Sequence, residues 1–265
     1  MKIVTSASEL PSGCAFIPTM GALHDGHANL FRAGGKLNGS VVASIFVNPL
    51  QFENEQDLKT YPRTPDRDIE IAAATGVTHL WLPRYEEIYP GNIELLSAGP
   101  IGDLFEGKSR PGHFDGVVTV VRRLFDLVKP QQAIFGEKDF QQLTLIRKVA
   151  GDVEIIAHPT VREADGLALS SRNVRLSESG RSAALVISRA LFAASIETSL
   201  QSARKTLLET LAQESAFTVD YATIIDENEF TEARIDTKSK RAIIAGWIDG
   251  VRLIDNMQMQ NVVLP

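Results

Sequence analysis

Two rhythms of apolar and polar positions alternate along this chain. Short β-branched or aromatic runs stop at Gly, Pro or Asn. Stretches with apolar residues three and four apart follow them. Residues 13–18 predict a short buried strand, and residues 25–37 a helix with Leu30, Phe31 and Ala33 on one side. Residues 40–47 predict a second strand, ending at Asn48-Pro49. Residues 64–75 predict a helix with Thr64 as N-cap and Pro65 at its first position. Gly76 closes it, and residues 79–82 form a strand ending at Pro83. Val117, Val120, Val121, Leu124, Phe125 and Val128 keep the clearest helical spacing, which Pro130 stops. A strand over 132–135, a helix over 141–149 and a strand over 153–158 complete the series. Strands and helices in alternation predict an α/β fold, a parallel sheet covered on both faces.

The rhythm changes near residue 161. Residues 177–195 and 200–212 predict helices, and 219–225, 241–246 and 251–254 predict strands. Asp249-Gly250 has the chemistry of a hairpin tip. The expectation is a first domain over 1–160 and a smaller α+β domain over 161–265.

Composition narrows the class. Of the 265 residues 44% are hydrophobic and 23% charged, as in an ordinary globular protein. The net charge of −6 argues against a general nucleic-acid-binding surface, so no nucleic-acid partner is expected. The single cysteine, Cys14, excludes an intrachain disulfide, and its apolar flank suggests a buried thiol in a reducing compartment. The first residues lack a signal-peptide core, and no apolar run approaches the ~20 residues that span a bilayer. A cytoplasmic protein without a membrane partner is expected.

Four segments carry candidate chemistry. In the first, Thr19-Met-Gly-Ala-Leu-His-Asp-Gly-His27, a strand stops at a turn and two histidines, His24 and His27, follow where a helix begins. Free backbone N–H groups, close approach at Gly21 and Gly26, and two imidazoles suit a nucleotide phosphate. The histidines can donate hydrogen bonds as charge builds on phosphate oxygens. A zinc site needs further ligands, and His79, His113 and His158 show no ligand spacing, so no protein metal site is expected. In the second, Ile45–Phe52, a strand hands over to Asn48 and Gln51, an amide able to bind a hydroxyl or carboxylate without adding charge. In the third, Phe135–Gln142, Lys138 can reach a phosphate, Asp139 can cap the next helix, and Gln142 lies one turn on. In the fourth, Arg162–Asn173, Ser170, Ser171 and Arg172 present two hydroxyls and a guanidinium to a polyphosphate after an Asp165-Gly166 turn.

Weaker candidates take plainer readings. Ser109–Gly116 is a long loop for function or subunit contact. Asp66 and Asp68 are first-turn acids complementing a helix dipole. Lys238–Arg241 is a solvated turn.

These segments, in this order, resemble the pantothenate synthetase (pantoate–β-alanine ligase) family. The matching signatures are Pro-Thr-Met-Gly-Ala-Leu-His-Asp-Gly-His, Ser-Ile-Phe-Val-Asn-Pro-Leu-Gln-Phe, Tyr-Pro-Arg-Thr, Ser-Arg-Pro-Gly-His-Phe, Phe-Gly-Glu-Lys-Asp-Phe-Gln-Gln and Asp-Gly-Leu-Ala-Leu-Ser-Ser-Arg-Asn. The similarity continues to Arg252–Asn256, and the acidic Glu53–Asp57 stretch falls where such proteins vary. The resemblance implies a Rossmann-like sheet of the nucleotidyltransferase type that shares His-x-Gly-His, a C-terminal lid domain and a homodimer. It implies that pantoate, β-alanine and ATP give pantothenate, AMP and pyrophosphate through a pantoyl-adenylate, with Mg²⁺ accompanying ATP. By that resemblance Met20, Gly21, Ala22, Leu23, His24, Asp25, Gly26 and His27 bind ATP, with His27 catalytic and His24 its partner at the phosphates. Gly136, Glu137, Lys138 and Asp139 also bind the nucleotide, with Lys138 on the phosphates. Val161 contacts the adenine, and Leu169, Ser170, Ser171 and Arg172 close on the polyphosphate. Gln51 and Gln142 hold pantoate, with Gln51 also beside β-alanine.

Such a site must supply positive charge, and Lys138, Arg172 and the two histidines are expected to carry it. Three other classes stay open at this point. An adenylyltransferase for a phosphorylated acceptor would need a further basic subsite. A tRNA synthetase-like enzyme would need more room for tRNA. A nucleotide sensor would need no catalysis.

Overall fold

A computed structural model describes residues 1–52 and 55–260, so Glu53 and Asn54 of the acidic stretch lie outside the described residues. The chain forms two compact units, Met1–Thr160 and Val161–Pro265.

The first unit is a six-stranded, all-parallel sheet in the order β1-β4-β3-β2-β5-β6. Its strands are β1 (Lys2–Val4), β2 (Ala15–Thr19), β3 (Val41–Ile45), β4 (His79–Trp81), β5 (Gln132–Gly136) and β6 (Glu154–His158). The helices are α1 (Asp25–Leu37), α2 (Glu55–Thr60), α3 (Pro65–Ala74), α4 (Tyr85–Ile88), α5 (Glu106–Ser109), α6 (His113–Val128) and α7 (Phe140–Val149). The period-two alternation of β2 explains how both faces are covered. Ala15 and Ile17 join Phe31 of α1, Ala72 of α3, Val41, Leu80 and Ile134 in one apolar layer. Phe16 points to the other face, where its ring meets Phe125 of α6 edge-on. This is the doubly covered sheet of a Rossmann-type fold.

The second unit packs α8 (Glu178–Ser195) and α9 (Leu200–Leu211) on an antiparallel sheet of β7 (Thr218–Asp226), β8 (Lys240–Ile248) and β9 (Val251–Gln258). Asp249 and Gly250, both at positive φ (54° and 71°), make the two-residue turn between β8 and β9.

Several expectations change. Helix α6 starts at His113, absorbing half of the loop expected over 109–116. Lys240 and Arg241 are not in a solvated turn: both are buried at the start of β8, where Arg241 donates to Glu227 and Asn256. Thr64 stands at the N-cap of α3, but its hydroxyl donates to Asp68 instead of capping the helix. Asp139 likewise stands at the N-cap of α7 without a side-chain cap bond. Cys14 is fully buried, and burial pushes its thiol up to about 11, which keeps it protonated.

Candidate active site

Strand order brings three chain segments to one edge. The chain moves from β2 outward through β3 and β4, then resumes at β5 on the other side of β2. All strands are parallel, so β2, β3 and β5 end at the same edge. Connections diverge there, and open α/β sheets bind ligands at that switch point. The Met20–His27 segment leaves β2, Asn48–Gln51 leaves β3, and Glu137–Asp139 leaves β5.

The β2–α1 turn departs from expectation in an informative way. Gly21 (φ 83°) and Ala22 (φ 50°) are left-handed. The next N–H groups, on Ala22 and Leu23, converge on one anion as in a backbone nest. The anion in it is Asp68, a buried carboxylate from α3 that accepts from Ala22 N at 3.0 Å and Leu23 N at 2.8 Å. The Thr64 hydroxyl donates to the same carboxylate at 2.9 Å. Gly21 N donates to Thr19 Oγ1, His24 N to His27 Nδ1, and Gly26 N to His24 Nδ1. The N–H groups of Gly21, Ala22, Leu23, His24 and Gly26, expected to be free for phosphate, are therefore satisfied inside the protein. Asp68, expected only as a dipole acid, fixes the turn. The Pro-Asp-x-Asp helix start was the one sequence signal for it, and that pattern does not reveal a partner about 45 residues away.

The histidines take over the role of donors. His24 is the N-cap of α1, and with His27 it forms a reciprocal capping box. Each Nδ1 accepts a backbone hydrogen, which fixes both rings as Nε2–H tautomers. The rings stand 4.2 Å apart. Burial, then the Lys138 charge, hold His24 down to about 4. Burial, then His24 and Lys138, hold His27 down to about 3. Both imidazoles are thus neutral at pH 7. The histidines do not supply the expected positive charge in the free protein; they supply two fixed N–H donors. Lys138, its side chain only 17% exposed, is the cation whose field both rings feel.

The lowered histidine values give stability a definite pH dependence. Above pH 6.5 folded and unfolded histidines are both neutral. Below it the unfolded chain binds protons that the folded site refuses, so this contribution to stability fades as pH falls from about 6.5 towards 4. Urea unfolding between pH 7 and 4.5 should show the wild type losing more stability than a His24→Asn/His27→Asn variant. Equal slopes would place the rings in an environment that does not resist protonation.

Gln51 is buried in the turn after β3. Its Nε2 donates to Met20 Sδ at 2.9 Å, and its Oε1 accepts from Asn48 Nδ2 at 3.1 Å. Met20 and Gln51 thereby join the ends of β2 and β3. The Gln141-Gln142 pair splits in role. Gln141 is buried and holds Ile101 O, Leu104 O and Glu106 N. Gln142, in the first turn of α7, is half-buried, and its side chain has no hydrogen-bond partner among the described residues. Its amide can meet a ligand without first breaking a protein contact.

In the second unit, Val161 and Leu169 are paired, with Leu169 N donating to Val161 O at 3.0 Å. Between them Gly166 (φ 97°) makes the expected turn. Arg162 anchors this hairpin by a two-pronged bond to Asp255 of β9. Ser170 Oγ accepts from Arg172 N, which leads into the short helical turn Asn173–Arg175. Among the described residues no three His, Cys, Asp or Glu side chains cluster to hold a metal ion, and no helix is long and apolar enough to cross a membrane.

Comparison with known proteins agrees in sequence and in fold. The pantothenate synthetase of Acidothermus cellulolyticus is 46% identical over 98% of this chain and 89% of its own. The crystal structure of pantothenate synthetase from Thermus thermophilus superposes with a TM-score of 0.94 at 43% identity, covering 98% of this chain and 99% of that one. Pantoate-β-alanine ligase from Francisella tularensis, solved in complex with beta-gamma ATP and β-alanine, gives a TM-score of 0.81 at 34% identity over 98% of both chains. The sequence pattern of the pantoate-β-alanine ligase family matches residues 2–258, and this chain belongs to that family.

Proposed function

We propose that this chain joins pantoate to β-alanine at the expense of ATP, releasing AMP and pyrophosphate, through a pantoyl-adenylate. The observation that carries this reading is the pairing at one sheet edge of a cation, Lys138, and two fixed N–H donors, His24 and His27, with the uncharged amides Gln51 and Gln142. Charge and donors suit a triphosphate, and neutral amides suit a hydroxy acid brought up to it.

In the first step a pantoate carboxylate oxygen attacks the α-phosphorus. A P–O bond forms, the Pα–O bond to the β-phosphate breaks, and pyrophosphate leaves. Like-charge repulsion opposes this encounter, so orientation and charge stabilisation are what the protein must supply. Lys138 and the Nε2–H groups of His24 and His27 take the phosphate oxygens. In the second step the neutral amine of β-alanine attacks the acyl carbon, AMP leaves with the bridging oxygen, and the amine proton passes to solvent. By the family resemblance, the further ATP contacts are the rest of Met20–His27, Gly136–Asp139, Val161 and Leu169–Arg172. Magnesium enters as part of the MgATP substrate, held by phosphate oxygens. The protein works in the cytoplasm as a homodimer, the state that the family resemblance implies.

Exchange of labelled pyrophosphate into ATP, with pantoate and without β-alanine, tests the reading. Exchange that needs pantoate supports it; exchange with any acid, or with none, rejects it. Gln142→Ala should raise the pantoate KM by about 10–100-fold, the effect of a lost bond to a charged group, with the ATP KM nearly unchanged. Equal loss for both substrates would make Gln142 a support of the fold.

A further inference from the structure

The Ser109–Gly116 stretch has no role in the chemistry above, yet it closes on Gln51. His113, buried at the start of α6, lies with Nδ1 2.8 Å from the Gln51 carbonyl oxygen. A carbonyl only accepts, so Nδ1 carries the proton and Nε2 is left to accept. Arg110 Nη1 donates to that Nε2 at 3.2 Å, and Arg110 Nη2 reaches the same Gln51 carbonyl at 3.4 Å. Glu106, one helical turn earlier and buried, faces the Arg110 guanidinium at 3.7 Å.

The same helix grips the turn a second time. Asn48 Nδ2 donates to Gly116 O at 3.1 Å as well as to the Gln51 side chain, and Tyr89 Oη donates to Asn48 Oδ1 at 2.9 Å. A Cβ on Gly116 would lie 2.2 Å from Leu50 O, so only glycine lets α6 come this close. Gln51 is thus held by its carbonyl from one side and by its amide from the other.

We propose that His113, oriented by Arg110, is a positioning residue that sets the Gln51 amide for the acid substrate and leaves the nucleotide half of the site untouched. Both Arg110 and His113 meet the site at the Gln51 carbonyl, in the turn after β3, on the side that carries the amides. The inference rests on the proposed role of Gln51 at pantoate and β-alanine. It separates His113 from a residue that only stabilises the fold, because a folding defect lowers the amount of active enzyme and leaves each KM unchanged.

Two variants test it. His113→Ala removes the donor. His113→Asn can restore it, because the asparagine Nδ2–H reaches a position near that of the imidazole Nδ1–H. His113→Ala should raise the pantoate KM roughly tenfold, the equivalent of one hydrogen bond, with the ATP KM within about twofold. His113→Asn should return most of the loss. In the unliganded protein the Gln51 carbonyl 13C resonance should move in His113→Ala and move back in His113→Asn. An unmoved resonance overturns the contact whatever the activity. A moved resonance with ATP and pantoate KM changing together, or with neither changing, overturns the positioning role. Wild-type protein that gives no pantoate-dependent exchange overturns the functional reading instead, and the resonance still judges the contact.

Discussion

Lys138→Ala should lower the rate of pantoyl-adenylate formation by about 10²–10³, the effect of removing one charge-stabilising group aimed at a developing charge. Burial and Lys138 itself keep His24 and His27 neutral, so the rings supply donors and Lys138 supplies positive charge beside them. His27→Ala should cost a similar factor, because it removes an Nε2–H that the capping box holds in place. Single-turnover quench-flow with pantoate and ATP measures the step directly. A second readout does not involve activity. The Lys138 charge pushes both imidazoles down, so in Lys138→Ala both should titrate at higher pH than in the wild type, as followed by 15N NMR of the rings. Wild-type adenylation in Lys138→Ala would remove the lysine from the phosphates, and unmoved ring titrations would remove it from the histidines.

Asp68→Ala should be nearly as damaging for a different reason. It leaves a part-buried N–H on Ala22 and a buried one on Leu23 without an acceptor, at a cost of about 2–4 kcal/mol in stability. The turn also loses what holds Ala22 in a left-handed conformation that non-glycine residues rarely adopt. The loop that precedes the histidines then shifts, and a displacement near 1 Å can cost about 10² in rate. Asp68→Asn should fall between, because its oxygen can serve one of the two donors while its NH₂ opposes the other. Urea unfolding gives the first effect and pantoate-dependent exchange the second. Wild-type values in both would mean that the nest is filled and held by something other than this carboxylate.

Local pattern made the sheet and its helices legible. Runs such as Val41–Ile45 and the six apolar positions of α6 have periods that no loop would keep. The segments at the strand ends were legible too, because a strand meeting a glycine turn and then a helix is a local event. What was hidden depends on partners distant in sequence. Asp68 reads as a dipole acid until α3 is folded against the β2–α1 turn. Lys240 and Arg241 read as a charged turn, and Arg241 is buried only because Glu227 and Asn256 meet it. The start of α6 was obscured by Pro111 and Gly112, and the need for glycine at 116 appears only when Leu50 O lies against it. Strand β1, with three residues at the sheet edge, is too short to show any period. The neutrality of His24 and His27 is a property of burial, which spacing alone does not report.

Pantoate labelled with 18O in its carboxylate decides the central chemistry most directly. If its oxygen attacks the α-phosphorus and β-alanine then attacks the acyl carbon, mass spectrometry finds one 18O in each AMP released. Unlabelled AMP, or label appearing in inorganic phosphate beside ADP, would show that no pantoyl-adenylate forms and that Lys138, His24 and His27 serve some other reaction.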